Sequence, residues 1–300
     1  MELKDIISGL KIGNMRALAK AITLVENNPE LGMNLLKQLD FSAKAPILGV
    51  TGAPGSGKST LVNALATEYV NKGKKVAILA VDPSSPFNMG SILGDRLRMS
   101  RLFLNDSVFI RSISSRGSLG GISSTMVEIS DLVAAYWWDL VIVETVGVGQ
   151  SEVEVASLAD TTIVVAVPEG GDDIQAMKSG LMEIADIFVV NKADRPGATS
   201  MTSFLQDMAH SRFTDRKIEV IETIANEFKG IEELVNCIDS QVRGKKKSQK
   251  MELAAKRAFE IISKHRMRDT SSLTLKTELM KVENKTDFNL YVWLEKYLND

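Results

Sequence analysis

One stretch of the sequence combines the residue types that bind phosphate. It reads GAPGSGKST, residues 52–60, and lies between a predicted strand and a predicted helix. Gly55 and Gly57 allow a tight turn in which backbone N–H groups converge on phosphate oxygens. Lys58 can bridge the β- and γ-phosphates, and the hydroxyl of Ser59 can ligate magnesium. A glycine-rich turn with a solvated lysine is the alternative, which the flanking strand and helix disfavour. The predicted nucleotide-binding residues of this phosphate loop are Gly55, Ser56, Gly57, Lys58, Ser59 and Thr60.

A second motif, NKAD at residues 191–194, follows the apolar run IFVVN. Guanine presents two adjacent donors, N1–H and N2–H₂, and a carboxylate offers two acceptors that can meet both. Asp194 is therefore the predicted reader of the base. Asn191 is expected to tie this loop to the phosphate loop, and the stem of Lys192 to lie over the base. An ordinary loop with a helix cap is the alternative. Because adenine lacks the donor pair, the motif favours GTP over ATP.

Acidic residues at strand ends are the candidates for a magnesium site. The run AILAV ends at Asp82, and LVIV ends at Glu144. Magnesium in nucleotide sites takes one or two carboxylates together with phosphate oxygens and waters. Asp95, in SILGDRLRM, is a further ligand candidate, while the arginines that follow it are either site residues or a solvated face. With the hydroxyl of Ser59, these residues form the predicted metal set.

Two loops have the composition of nucleotide-sensing segments. In ETVGVGQ, residues 144–150, the N–H of Gly147 can bond the γ-phosphate and shift when that phosphate leaves. Gln150 either orients the attacking water or makes a structural hydrogen bond. The loop PEGGDD, residues 168–173, precedes a helix that carries Lys178, which is either a catalytic residue or part of a solvated face. The predicted catalytic residues are Lys58, Glu144, Lys178 and Gln150.

The elements that must position these residues alternate along the chain. Short apolar runs predict strands at 47–51, 76–81, 108–113, 140–145, 161–167, 187–191 and 219–224. Helical spacing predicts helices at 59–71, 125–136, 173–184 and 200–211. Alternating strands and helices, with strands apolar at nearly every position, indicate a doubly wound, mainly parallel α/β sheet of the P-loop NTPase class. Such sheets bind ligands at the carboxyl ends of their strands.

The two ends of the chain lack strand signals and predict helical extensions. Residues 1–43 form the predicted N-terminal extension, 44–243 the nucleotide-binding domain and 244–300 a C-terminal helical region. The polar run GKKKSQK, residues 244–250, predicts a solvated joint before that region. Its apolar helices either pack back on the core or form an arm between subunits.

Composition narrows the class of protein. The 300 residues are 44% hydrophobic and carry a net charge of −2, which argues against a general electrostatic grip on nucleic acid. The single cysteine, Cys237, excludes an internal disulfide and fits a reducing compartment. No apolar run reaches the roughly 18 residues that a membrane span requires, and the first residues do not resemble a secretory signal. We therefore expect a cytoplasmic protein without a membrane or nucleic-acid partner.

Three long strings together resemble the MeaB/ArgK family of P-loop GTPases, which includes the methylmalonic aciduria type A proteins. They are VDPSSPFNMGSILGDRLRM, ETVGVGQSE and GDDIQAMKSGLMEIADIFVVNKAD. The resemblance covers about residues 10–240. By position, the nucleotide and metal residues of the family correspond to Lys58, Ser59, Asp82, Asp95, Glu144 and Asp194. Residues 172–178 correspond to the third switch of the family, which makes Lys178 a candidate for activation by a partner. The segment PFNM, residues 86–89, departs from the threonine- and glycine-bearing pattern of the first switch.

The resemblance also implies a biological role. Proteins of this family accompany adenosylcobalamin-dependent acyl-CoA mutases such as methylmalonyl-CoA mutase. Their GTP hydrolysis gates cofactor loading and protects the mutase, and the mutase accelerates the GTPase. Family members are typically homodimers to which the C-terminal helices contribute. The expected activity is slow hydrolysis of Mg·GTP until the partner orders the switches.

Three other functions fit the residues of this chain less well. A metallochaperone GTPase needs clustered cysteines or histidines, whereas this chain has Cys237, His210 and His265 far apart. An ATP-dependent kinase linked to basic amino-acid transport conflicts with the guanine-type NKAD motif. A protein-targeting GTPase would use a methionine-rich groove, but the 13 methionines are scattered along the chain.

Overall fold

The structure is a computed structural model, and it describes most of the chain. The described residues are 3–82, 102, 104–114, 125–145, 151–169, 182–210, 218–244, 247–267, 270, 272–281 and 288–298. Contacts divide the chain into two compact units, Met1–Arg257 and Ala258–Asp300.

Within the described residues of the first unit, seven strands form one sheet. The strands are β1 (Ile47–Gly52), β2 (Val76–Asp82), β3 (Val108–Ser114), β4 (Leu140–Glu144), β5 (Thr161–Ala166), β6 (Ile187–Asn191) and β7 (Glu219–Thr223). Their order is β3-β2-β4-β1-β5-β6-β7, and every neighbouring pair is parallel. Each strand begins at its predicted residue and ends within one residue of its predicted end, which confirms the predicted fold class.

Helices cover both faces of this sheet. In the described part of the first unit, the helices of eight or more residues before Lys247 are α1 (Leu3–Lys11), α2 (Met15–Asn27), α3 (Pro29–Leu36), α4 (Lys58–Asn71), α5 (Met126–Ala134), α6 (Ser151–Leu158), α7 (Ala198–His210) and α8 (Ile231–Gly244), and a short helical turn, Met182–Ile184, precedes β6. Successive strand residues point to opposite faces. Leu48 and Val50 accordingly share a core with α4 and α8, whereas Gly49 contacts α6. Phe188 and Val190 pack against α7 on that second face. The sheet is therefore doubly wound.

The three N-terminal helices are part of the first unit, and α2 contacts both of the others. Asn14 caps this helix, because its side-chain oxygen accepts from the N–H groups of Arg16 and Ala17 at 2.9 and 3.2 Å. The apolar face that contains Leu18, Ile22 and Val25 is buried, and α2 packs against α5. Arg111 of the edge strand β3 donates to Thr23 Oγ1 at 3.1 Å. The edge strand is thus joined to α2 by both packing and hydrogen bonding.

A long helix, α9 (Lys247–Arg266), crosses from the first unit into the second, which also contains α10 (Ser272–Met280) and α11 (Leu290–Leu298). The prediction of a solvated joint is wrong for residues 247–250, which are helical. Lysine and glutamine are good helix formers, so their polarity is a poor sign of a loop.

Within the second unit, Glu278 of α10 accepts from Lys296 and, at 2.8 Å, from Tyr297 Oη of α11. Among the described residues, every helix is too short or too polar to cross a membrane.

Candidate functional site

The phosphate loop joins the end of β1 to the first turn of α4. Two of its glycines have left-handed backbone angles, φ +76° at Gly55 and φ +87° at Gly57. A Cβ atom at Gly57 would lie 2.4 Å from Asn191 Nδ2, so this position also lacks room for a side chain. The phosphate loop therefore requires glycine for its backbone conformation and for the close approach of the loop that carries the NKAD motif, residues 191–194, which is the predicted base-reading loop. Its N–H groups and the N-terminus of α4 are suited to an anion.

Lys58 is buried at the start of α4, and its ammonium group lies in the mouth of the loop. Its Nζ donates to the carbonyl oxygens of Gly52 and Ala53 at 2.7 and 3.0 Å. These bonds hold the charge next to the backbone that is expected to surround phosphate. The placement matches a lysine that contacts nucleotide phosphates.

Ser59 and Glu144, which are predicted metal ligands, lie together. Ser59 Oγ donates to Glu144 Oε1 at 2.6 Å, and the carboxylate is buried at the end of β4. The neighbouring Thr145 donates from its N–H to the Val50 carbonyl at 3.1 Å and from Oγ1 to Thr51 Oγ1 at 3.0 Å. The ends of β1 and β4 are thus held side by side. A hydroxyl and a carboxylate in this arrangement are oxygen donors of the kind that magnesium prefers.

The other predicted site residues fall partly or wholly outside the described part of the chain. Asp82 is the last residue of β2, next to β4, but its side chain is not described. Asp95, Gly147, Gln150 and Lys178 lie outside the described residues, as does the segment 172–178. Their roles stay predictions.

Asn191 lies at the end of β6 and binds the phosphate loop directly. Its Nδ2 donates to the Ser56 carbonyl at 2.9 Å, as predicted from the motif. Its Oδ1 accepts from Thr223 Oγ1 at 3.1 Å and from the Ala225 N–H at 3.3 Å. One buried amide therefore holds three segments at the carboxyl edge of the sheet.

The sequence motifs do not identify Thr223 and Ala225 as partners of Asn191. They lie where β7 ends and a short 3₁₀ turn, Ala225–Glu227, begins. The position of the predicted strand could have indicated them, because a strand that neighbours β6 must end near Asn191 and can supply partners for its amide. The residue types alone, a threonine and an alanine, carry no such indication.

Lys192 and Asp194 complete the base-reading loop. Lys192 has a left-handed backbone, φ +59°, and its Nζ donates to the Gly55 carbonyl at 2.7 Å. Its side chain therefore runs from the NKAD motif to the phosphate loop, where it can flank a base. Asp194 is exposed. The pKa of nearby Lys229 is raised, mainly by its hydrogen bond to Glu227 and in part by the charge of Asp194.

An ion pair joins the base-reading loop to the loop that follows β5. Arg195 Nη1 donates to Glu169 Oε1 at 2.7 Å. This hydrogen bond holds the pKa of the Glu169 carboxyl below its usual value. Both side chains are about half exposed, so the pair orients the loops and contributes little to stability.

A phosphate loop after a central parallel strand, with the loop of the NKAD motif hydrogen-bonded to it, is typical of the class of P-loop GTPases. The sequence model of the family described as "Methylmalonyl Co-A mutase-associated GTPase MeaB" matches residues 18–277. The chain belongs to this family, and it is a GTPase.

Relatives and a solved structure agree with that assignment. A protein of Pyrococcus horikoshii named as a GTPase is 44% identical over 266 residues, which are 86% of this chain and 83% of that protein. The GTPase ArgK of Escherichia coli is 41% identical over 247 residues, 79% of this chain and 75% of that protein. The crystal structure of a protein titled "LAO/AO transport system kinase" is 29% identical with a TM-score of 0.67, covering 99% of this chain and 96% of that one.

The bonds of Asn191 lead to a prediction for nucleotide affinity. Asn191→Ala removes the tie to Ser56 and leaves Thr223 Oγ1 without its acceptor. We expect the Kd for GDP to rise at least about tenfold, since each lost buried hydrogen bond costs about 1 kcal/mol or more. Isothermal titration calorimetry measures this change. Asn71→Ala, at the exposed end of α4, is the control and should bind GDP normally. Wild-type affinity in Asn191→Ala would contradict the tie.

Proposed function

We propose that this GTPase serves an adenosylcobalamin-dependent acyl-CoA mutase of the methylmalonyl-CoA mutase type. In this proposal GTP hydrolysis gates cofactor loading and protects the mutase. The observation that carries it is the match of residues 18–277 to a family described as mutase-associated. The resemblance of the switch segments supports the same role. The single, partly buried Cys237 is compatible with work in the reducing cytoplasm.

The proposed nucleotide site follows from the side chains that surround the phosphate loop. Backbone N–H groups of residues 55–60 hold the phosphates, and Lys58 exchanges its two carbonyl acceptors for phosphate oxygens. Asp194 accepts from the two donors on the guanine edge. Lys192, braced on Gly55, limits how the base can tilt.

The pair formed by Ser59 and Glu144 fits a magnesium ion, because hydroxyl and carboxylate oxygens are its usual protein ligands. Asp82 and Asp95 are the further proposed ligands. Bound Mg²⁺ would neutralise charge that develops on the β- and γ-phosphate oxygens. The chain itself supplies Lys58, whose ammonium stabilises the same charge while water attacks the γ-phosphorus in line with the leaving oxygen.

Slow turnover without a partner is part of this proposal. Gly147 is proposed to sense the γ-phosphate through its N–H group, and Gln150 or Lys178 to assist the attacking water. A partner commonly activates a GTPase by ordering segments of this kind. The mutase would accelerate hydrolysis by holding them in place.

We also propose that the protein is a homodimer held by its second unit. This unit exposes many large apolar side chains: Phe259, Ile262, Met267, Met280, Phe288, Leu290, Tyr291 and Val292. So many exposed apolar side chains in a unit of 43 residues indicate a surface that another chain covers.

Light scattering should give about twice the chain mass of 32.8 kDa. Phe259→Glu with Tyr291→Glu should give monomer, while Trp137→Glu, at an exposed aromatic residue of the first unit, should not. A monomeric wild type would exclude the dimer.

Base selectivity can be tested by exchanging one oxygen acceptor for a donor. Asp194→Asn loses one acceptor for guanine and gains a donor that suits the 2-oxo group of xanthine. We expect GDP affinity to fall at least about tenfold, because hydrogen bonds to charged groups contribute about 1.5–3 kcal/mol. XDP affinity should rise. Competition binding with GDP, XDP and ADP measures both. Asp207→Asn, exposed on α7, serves as control. Unchanged selectivity in Asp194→Asn would exclude its base-reading role.

The mutase role has its own test. GTP hydrolysis is measured with and without a purified adenosylcobalamin-dependent methylmalonyl-CoA mutase from the same organism. We expect the mutase to accelerate hydrolysis at least about tenfold by ordering the switches. Lys58→Ala should be inactive in both conditions, whereas Lys72→Ala, on the surface at the end of α4, should behave as wild type. If the rate of GTP hydrolysis were the same with and without the mutase, the mutase role would be rejected and the GTPase assignment would stand. Near-normal activity in Lys58→Ala would instead reject the phosphate site.

A further inference from the structure

Arg257 of α9 has a guanidinium group buried between two other helices of the first unit. Its side chain is only 12% exposed. Nη1 donates to Asp131 Oδ1 of α5 at 3.1 Å, and Nη2 donates to the carbonyl oxygen of Leu158 in α6. Lys44, just before β1, donates to the same Asp131 oxygen. A single side chain of α9 is therefore bonded to two helices of the nucleotide-binding unit.

The carbonyl of Leu158 needs a partner from outside its own helix. Leu158 is the last residue of α6, and the last four carbonyl groups of a helix have no intrahelical donor. The N–H four residues later, that of Thr162, donates instead to Asp186 Oδ2 at 2.8 Å because β5 has begun. Arg257 supplies the missing donor. A cation is also the charge that a helix C-terminus favours.

The helix α6 connects this contact to the proposed catalytic edge. It begins at Ser151, seven residues after Glu144 at the end of β4. It packs closely on β1, since a Cβ atom at Gly49 would lie 2.7 Å from Val155 Cγ2. Beyond its end, the Asp160 N–H donates to the Ile47 carbonyl at 2.7 Å, and Asp160 Oδ2 accepts from the Ile47 N–H at 2.8 Å. Close packing leaves little space for α6 to move independently of its bonded neighbours.

We propose that Arg257 is a positioning residue that couples the carboxyl ends of β1 and β4 to the helix α9 through α6. The proposal rests on the proposed role of Ser59 and Glu144 at the nucleotide site. A nucleotide-dependent change at these strand ends acts on α6, which packs on β1 and whose terminal carbonyl is bonded to Arg257. The order of α9 then depends on the nucleotide. By thermodynamic reciprocity, anything that binds and orders α9 also changes the preference for GTP over GDP.

The coupling is tested by amide hydrogen exchange of α9 in two states, with Mg·GDP and with a non-hydrolysable Mg·GTP analogue. In the wild type, exchange rates in α9 should differ at least about fivefold between states, the lower end of typical allosteric coupling. Arg257→Ala should abolish this difference and lower kcat, with the KM for GTP and the Kd for GDP within about twofold of wild type. Arg257→Lys should restore part of it, because lysine keeps the charge but cannot bridge both acceptors.

Lys256→Ala is the matched control, because Lys256 is the neighbouring residue on α9, is 60% exposed and pairs within the helix, with Glu252 at 3.1 Å. It should respond as the wild type does. Arg257→Ala should fold, since Asp131 keeps its bond to Lys44; if it does not, Arg257→Lys carries the test. The coupling would be overturned if the Arg257 variants showed the same difference in α9 exchange between the two nucleotide states as the wild type. It would also be overturned if the wild type bound both nucleotides and showed no such difference. A wild type that binds no GDP would instead overturn the proposed nucleotide site, and the coupling with it.

Discussion

The buried side chain of Asn191 joins three segments that would otherwise leave the sheet independently. It donates to the phosphate loop at Ser56 and accepts from Thr223 and from the Ala225 N–H. An amide can make this set of bonds because it carries a donor and an acceptor on one rigid plane. The distance between the phosphate loop and the predicted base-reading loop is thereby constrained by this amide, together with the bond from Lys192 to Gly55. A nucleotide that contacted both loops, as proposed, would have to match that distance.

The strained backbone of Lys192 is maintained by the same arrangement. A left-handed conformation costs a non-glycine residue on the order of 1 kcal/mol or more. The following N–H, that of Ala193, donates to the Thr223 carbonyl at 3.1 Å, and the Lys192 ammonium donates to Gly55. These contacts hold the chain turned away from the direction of β6. Asp194 consequently lies beyond the end of β6, where it is exposed.

Most of the fold was predictable because strands buried on both faces are apolar at nearly every position. β6 lies between β5 and β7 and matched its predicted limits at both ends. The contact between Asn191 and the phosphate loop was also predictable, since both motifs follow strands of one parallel sheet. Long-range polar partners were not predictable. Arg257 bonds to residues that are 126 and 99 positions away, and a helical pattern does not indicate such partners. The limits of α9 were missed because its first residues are polar but favour helix.

The energetics of Lys58 show how the site can be both stable and selective for a charged ligand. A buried ammonium without partners would be costly, and here two backbone carbonyls accept from it. At the proposed phosphate site, a phosphate that took the place of these carbonyls would exchange neutral acceptors for charged ones. The net gain would be the difference between a charged and a neutral acceptor, which favours phosphate because charge-assisted hydrogen bonds are roughly twice as strong. An uncharged ligand of the same shape would gain little from that exchange, so this lysine would favour anions.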